Sequence, residues 1–532
     1  MARTSHSANF QKFHERNELK NFAEITTNDL KKTYSFMGKI EEIKQTSGPT
    51  IFTLNDGTRS IKSVAFIAPG ERAYPDFELE QIIRISAEVS ERDNSIELEI
   101  KDMKAPSDEE KNDFLKKMAQ IENERSEAKD VPFLVDNEVL QKLKPMIKKV
   151  AREIRNAIFT NRPIILKHHH DADGYSSGIA LERAIIPLIR EQHQTDNAEH
   201  LYYKRTPSRA PFYEYTDAVK DVSFTLDDMA RYGQKPPLVI LTDNGSTPED
   251  IFSIKKVRIF GSRVAVVDHH YPGEVVDGKV EVDKYVDAHV NPYLVGHDSL
   301  MCAGILATEV ARFVNPDVDK IDHIPAIAAT GDRAEGPIID KYFALAEKKG
   351  FTREFLKDLA EAIDFESHYI RFMQSRNLVN ELFADNIETQ RKMVALITPE
   401  IAARKERGLK AARHYMHLED IGKRLIMSLD ADKLTSRGEY PAIGKMVGLT
   451  HDSVCNDNPG KAVISMGLGP DFITMRMNDH VEFKLDNLIK ELQEKIPYGA
   501  IEGGGHEHAG TIKFLQAAKE EVHKIVFDRL RS

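Results

Sequence analysis

Between Leu166 and Gly178 the chain reads LKHHHDADGYSSG, which sets three histidines beside two carboxylates two residues apart, Asp171 and Asp173. Two later segments have the same character: VILTDNGS carries Asp243, and VAVVDHH carries Asp268, His269 and His270. A further acid, Asp332 in AIAATGDRAEG, follows another small apolar run. Carboxylates gathered in one place repel one another unless they are protonated or bound to cations, so a buried group of this size implies metal. Mixed His and Asp donors suit divalent manganese, magnesium or zinc, and the lack of thiolate donors weakens a structural zinc site. Taken singly, each element has a plainer reading. A DxD pair after a strand is often helix capping or loop polarity, and paired histidines occur on surfaces. Their joint occurrence, in order and at strand ends, makes the case for a dinuclear site. Two neighbouring cations can activate a water, fix a phosphate oxygen and steady the leaving oxygen, which makes phosphodiester hydrolysis the natural reaction. No GxSxG elbow supports a serine nucleophile instead.

The elements around these residues explain how they could meet. Apolar strands (PIIL, PLVILTD, RVAVVDHH) alternate with helical patterns (GIALERAIIPLI, TPEDIFSIKKV, SLMCAGILATEVARFV) between Arg162 and Phe343. That alternation predicts a parallel sheet covered by helices, whose strand ends share one edge where ligands bind. Upstream, residues 34–104 give five short, partly alternating runs with turn signals at Ser47-Gly48, Asn55-Asp56-Gly57 and Asp93-Asn94, which predicts a small barrel similar to an OB-fold. Such a barrel commonly binds single strands by stacking and basic side chains. The candidates on it are Lys39, Lys44, Phe52, Arg59, Lys62 and Phe66, with barrel core as the competing role for both phenylalanines.

The remaining boundaries follow from charge and period. Residues 1–33 form an N-terminal segment, 105–161 a charged helical connector leading into the catalytic domain at 162–343, 344–430 a second helical block, and 431–532 a smaller α/β domain. The fold class is therefore α/β, with an N-terminal all-β barrel. The chain has 532 residues, 41% of them hydrophobic, enough for about three domains. No run of about 18 apolar residues marks a membrane span, and the N-terminal stretch lacks an apolar signal core, which predicts a cytoplasmic protein. Two cysteines, Cys302 and Cys455, with no CxxC spacing, exclude a disulfide framework. A net charge of -11 argues against coating nucleic acid by bulk electrostatics and leaves room for one local basic groove.

The segments HHDADG, TDNGS, VDHH and GDR, in that order, resemble the four motifs of the DHH phosphoesterase superfamily, and EGGGHEHAG at 502–510 resembles the glycine-rich signature of its associated C-terminal domain. The resemblance covers roughly residues 162–516, with the middle helical block matching loosely. An accessory OB-like barrel and a long helical connector are most similar to RecJ-type single-strand exonucleases, in the archaeal layout, since bacterial RecJ carries its OB-fold after the catalytic domains. The resemblance implies His169, Asp171 and Asp243 as ligands of one metal. It implies Asp173, Asp243, His269 and Asp332 for the second, with Asp243 bridging. His270 would face the scissile phosphate and Asp268 would orient the imidazoles, leaving His168 and His170 as bystanders, one of them packed against the helix. It further implies two divalent ions, manganese or alternatively magnesium, and single-stranded DNA or RNA as substrate, with replication or repair proteins as candidate partners. Gly503, Gly504, Gly505 and His506 could cradle a phosphate, and Arg476 could grip one bidentately. The plainer alternatives are a flexible turn before the strand AGTIKFL and a surface arginine. Two other functions compete: hydrolysis of very short oligonucleotides, a cyclic dinucleotide or pyrophosphate, and a replisome scaffold, for which the charged block 344–430 offers a surface.

Overall fold

The computed structural model describes residues 19–92, 95–208, 210–370, 376–384, 387–434, 438–506 and 508–531. Five strands, β1 (Thr33–Gln45), β2 (Thr50–Asn55), β3 (Ser60–Ala65), β4 (Ile82–Arg92) and β5 (Ser95–Lys104), close into a barrel in the order β1-β2-β3-β5-β4. All neighbours are antiparallel except β3 and β5. Alternation of side chains places Phe36, Ile40, Phe52, Leu54, Ile61, Ile83, Ile85 and Leu98 inside. Phe52 is thus barrel core, with no exposed ring to stack on a base. Arg59 is buried too, its guanidinium donating to the Ile25 carbonyl at 3.0 Å, so it serves the fold and not a ligand. Lys39 pairs with Glu80 at 3.2 Å. Lys44, Lys62 and Phe66 are exposed.

Helices α1 (Asp108–Ser126) and α2 (Glu138–Phe159) lead into a parallel sheet of β6 (Ile164–His169), β7 (Tyr203–Ser208), β8 (Leu238–Thr242), β9 (Arg263–Val267) and β10 (Ala288–Val290), ordered β10-β9-β8-β6-β7. Between them run α3 (Ala172–His193), α4 (Tyr215–Tyr232) and α5 (Ile251–Ile259); α6 (Ala303–Val314) and α7 (Ile324–Gly331) follow. Successive strand residues face opposite layers. Leu166, Ile240, Ala265 and Val267 pack with α2, α3, α6 and α7, while Ile165, Val239, Leu241, Val264 and Val266 pack with α4 and α5. Burial on both faces explains why these strands read as continuous apolar runs. The sequence named no strand at β7 or β10: the first is the edge strand YKRTPS with a proline in it, and the second has three residues.

Then come α8 (Pro337–Lys348), α9 (Arg353–Ile370), α10 (Arg376–Leu382) and α11 (Ile387–Tyr415), and a second sheet of β11 (His417–Ile421), β12 (Arg424–Asp430), β13 (Ala462–Leu468), β14 (Phe472–Met477), β15 (Glu502–His506) and β16 (Ala509–Lys513). Its order is β11-β12-β13-β14-β16-β15, and α12 (Ile443–Asp457), α13 (Leu485–Lys495) and α14 (Lys519–Arg531) accompany it. This sheet begins at His417, inside the stretch expected to be helical, because the charged edge strand HLEDI hides its period. Among the described residues no helix is long and apolar enough to cross a membrane.

One buried acid should give the parallel-sheet layer a pH-dependent stability. Glu309 on α6 is fully buried, accepts from the Leu134 amide at 3.0 Å and from the Tyr342 hydroxyl at 3.0 Å, and burial pushes its carboxyl up to about 7. A carboxyl raised in the folded state favours folding while protonated, and that contribution is lost as pH rises from the unfolded value of 4.5 through about 7. We expect the melting temperature to fall between pH 5.5 and 8.5 more steeply for the wild type than for Glu309→Gln, with at most about 3 kcal/mol at stake. Parallel melting curves for the two proteins would refute this.

Candidate metal centre

Each proposed ligand sits where a chain segment leaves the core. Asp171 caps α3: one oxygen, Oδ1, accepts from the Gly174 amide at 2.9 Å, while Oδ2 lies 2.7 Å from His169 Nδ1. The capping reading and the cluster reading of the DxD pair are both true of this residue. Asp173, the second residue of the helix and fully buried, accepts from the Ala303 and Gly304 amides at 2.9 and 2.7 Å, at the positive N-terminal end of α6. Gly304 permits that approach, since a Cβ there would lie 2.5 Å from Ala328 Cβ and 3.0 Å from Asp173 Oδ1. Asp243 follows β8 with φ 56°, the left-handed region that an aspartate rarely occupies and that functional sites hold against strain. Asp332 ends α7, so it follows a helix and not a strand.

These side chains converge. His269 Nε2 lies 3.3 Å from Asp243 Oδ1, 3.3 Å from Asp332 Oδ2 and 3.6 Å from Asp173 Oδ2, while Asp243 Oδ2 lies 3.7 Å from His169 Nδ1. Asp243 therefore faces two groups at once, one of His169 and Asp171, the other of His269 and His270, and His269 is shared in turn with Asp173 and Asp332. The electrostatics match crowded acids. Burial, and then repulsion from Asp243 and Asp332, raises Asp173 well above the usual carboxylate range. Burial followed by Asp243 pushes Asp332 up to about 7. Burial opposes ionisation of Asp171 as well, yet the His169 charge overrides it and holds that carboxyl low.

The donor set fits divalent cations. Asp243 Oδ2 is buried with no hydrogen-bond partner. His269 Nδ1 lies 2.9 Å from the Ser299 carbonyl, an acceptor that fixes the proton on Nδ1 and turns the Nε2 lone pair toward the carboxylates. Asp268 accepts from the His269, His270 and Ser246 amides at 2.8, 3.2 and 3.1 Å and from His270 Nδ1 at 2.8 Å. His168 is fully buried and meets the Tyr175 ring at 4.5 Å and Arg205 at 3.3 Å, packing on α3. His170 contributes its carbonyl, which accepts from Ser367 Oγ at 3.0 Å.

Comparison with known proteins now adds to the geometry. Residues 34–105 match the family of OB-fold nucleic acid binding domains. An uncharacterized protein of Methanocaldococcus jannaschii is 42% identical over 508 residues, covering 91% of this chain and 67% of its own. A solved DHH domain, from a member of the s1p family of ribosomal proteins, is 40% identical and superposes with a TM-score of 0.75 over 80% of this chain and 99% of its own. The chain belongs to the DHH superfamily of phosphoesterases. The manganese complex of RecJ from Thermus thermophilus is more remote, with 14% identity and a TM-score of 0.48 over 72% of this chain and 54% of its own.

The second sheet of this DHH protein faces the same centre. Gly503 to Gly505 form strand β15, paired with Ile512 to Gly510 of β16, in place of a flexible turn. A Cβ on Gly503 would lie 2.8 Å from the Thr511 carbonyl, and one on Gly504 would come within 3.9 Å of Glu249 in the loop after β8. The glycine strand thus abuts the edge that holds Asp243. The side chain of His506 lies outside the described residues. Arg476 keeps solvent access in β14 while both domains crowd round it. Partial burial, then the Arg333 charge, lowers its pKa, and Asp332 and Asp452 act on it as well.

Five residues that the sequence reading did not single out join the two domains here. Asp364 Oδ1 on α9 accepts from the Ala172 amide at 3.0 Å, Ser367 binds the His170 carbonyl, and Lys445 of α12 donates to Asp364 Oδ2 at 2.7 Å. Arg333, directly after Asp332, pairs with Asp452 at 3.2 Å. Only Arg333 carried a sequence signal, its place in GDR; the others are charges or hydroxyls on helices, which read as solvated faces.

Proposed function

We propose that this protein is a metal-dependent exonuclease that releases mononucleotides from single-stranded DNA or RNA. The observation that supports it most is the position of Asp243, whose two oxygens face two separate His and Asp groups. In this reading His169, Asp171 and Asp243 hold one divalent ion, Asp173, Asp243, His269 and Asp332 hold a second, and manganese suits the mixed donors, with magnesium as the alternative. Ions held there would supply Lewis acidity, activating a water and neutralising charge on the phosphate. The chain's own residues do the rest. Asp268 accepts a hydrogen bond from His270 Nδ1 and so holds the imidazole toward the scissile phosphate; without metal the His270 pKa is raised. Burial opposes that rise and the Asp268 charge overcomes it. Arg476 and the backbone of the glycine strand grip the neighbouring phosphate from the facing domain.

Two features favour a strand over a small substrate. The barrel exposes Lys44, Lys62 and Phe66, although Asn161 and Glu41 cover part of its β2–β3 face at Ser60 and Asn55. Tyr215 and Phe252 open the helices after β7 and β8, on the same sheet edge as the centre. Their rings are exposed and 5.1 Å apart, a surface on which bases could stack.

The test is degradation of single-stranded DNA and RNA, labelled at either end in turn, with manganese. Mononucleotides released progressively from one end are expected, and Arg476→Ala should raise KM about tenfold, as loss of a charged phosphate contact does. Cleavage restricted to dinucleotides, or none of either, would overturn the exonuclease reading.

A further inference from the structure

We infer that Asp364 and Lys445 are positioning residues that couple the seating of the C-terminal domain to the order of the metal-binding turn; this rests on the metal-centre reading above. The turn from His169 to Gly174 carries three proposed ligands, His169, Asp171 and Asp173, the last two on either side of Ala172. Helix α9 grips it at both flanks of Asp171, through Ser367 to the His170 carbonyl at 3.0 Å and through Asp364 Oδ1 to the Ala172 amide at 3.0 Å. The second oxygen of Asp364 is not available to the turn, because Lys445 Nζ of the facing domain holds it at 2.7 Å. One carboxylate therefore bridges a backbone amide between two ligands and an ammonium on the other domain.

The surroundings make this bridge stiffer than an exposed ion pair. Lys445 and Asp364 side chains are only 26% and 28% exposed. The Tyr440 ring lies 5.4 Å from the ammonium and packs edge-on against Phe365 at 5.0 Å, which keeps water from much of the contact. A second tie lies two helical turns along α12, where Asp452 meets Arg333, the residue after Asp332. The same helix is thus fastened to the turn bearing Asp171 and Asp173 and to the turn bearing Asp332. Linkage makes the coupling reciprocal. Ordering the ligands favours the seated domain, and the seated domain, which carries Arg476, meets a phosphate only when the ligands are in place.

The test is manganese affinity of the full chain by isothermal calorimetry, with hydrolysis of a dinucleotide as the second readout. Asp364→Asn should weaken manganese binding about 10- to 100-fold, the usual effect of removing a partner that orients ligands. Lys445→Met, which keeps the stem and touches no ligand, should weaken it roughly fivefold or more, within the range of coupling between sites. Lys445→Arg should return it to within about twofold of the wild type, with kcat recovering in step. Melting temperatures check that each variant is folded. Wild-type affinity in folded Lys445→Met would overturn the coupling, even if activity fell. If the wild type binds no manganese, it is the metal centre that fails and not the relay.

Discussion

Asp243→Asn should abolish hydrolysis while leaving a folded chain that gains less stability from manganese than the wild type does. Asparagine occupies the left-handed backbone region more readily than most residues, so φ 56° at this position is preserved. What is lost is the one carboxylate that faces both groups of donors. A rate loss of at least about 10³-fold, about 4 kcal/mol of barrier, is the expected scale. Asp243 repels Asp173 and Asp332 and attracts His169 and His269 in the metal-free protein, so neutralising it relieves the first pair and loosens its hold on the second. Thermal melts in a chelator should therefore stay close to the wild type, and melts in manganese should gain less for the variant than for the wild type. Activity within tenfold of the wild type would show that Asp243 bridges nothing.

Gly174→Ala is the second large effect, and it acts on the fold of the turn. A Cβ on Gly174 would lie 2.2 Å from the His169 carbonyl oxygen and 2.6 Å from its carbon. Both are backbone atoms, so no side chain can swing aside, and either β6 or α3 must move. The Gly174 amide that caps onto Asp171 moves with it. We expect a destabilisation of about 3 kcal/mol or more, in the class of overpacked sites, together with loss of manganese binding. Gly444→Ala is the control: the nearest atom to its Cβ would be Thr474 Oγ1 at 3.9 Å, and alanine in a helix should be neutral or stabilising by up to about 1 kcal/mol. Denaturant melts of the two variants give the comparison, and equal stabilities would refute the steric account.

The glycine in HHDADG shows how much a short motif can carry. The apolar run before it and the helical period after it announced a strand and then a helix, and the structure shows what the glycine adds: no other residue lets α3 begin so close to β6. The barrel was legible for a similar reason, since its strands alternate in and out of one small core. Phe52 and Arg59 were not separable from exposed residues by pattern, because a core aromatic and a structural arginine look like a stacking ring and a phosphate ligand until burial is known. Strand β7 was hidden by the polar composition of a sheet edge. Asp364 and Lys445 were hidden more deeply, because their meaning lies in a contact between helices 81 residues apart in sequence, and periodicity marks both as ordinary charged positions.

The most direct measurement of the central claim is anomalous scattering at the manganese edge from crystals grown with the metal. Two peaks are expected on either side of Asp243, one beside His169 and Asp171, the other beside Asp173, His269 and Asp332. A single peak, or manganese bound only elsewhere on the chain, would contradict a centre in which one aspartate joins two ions.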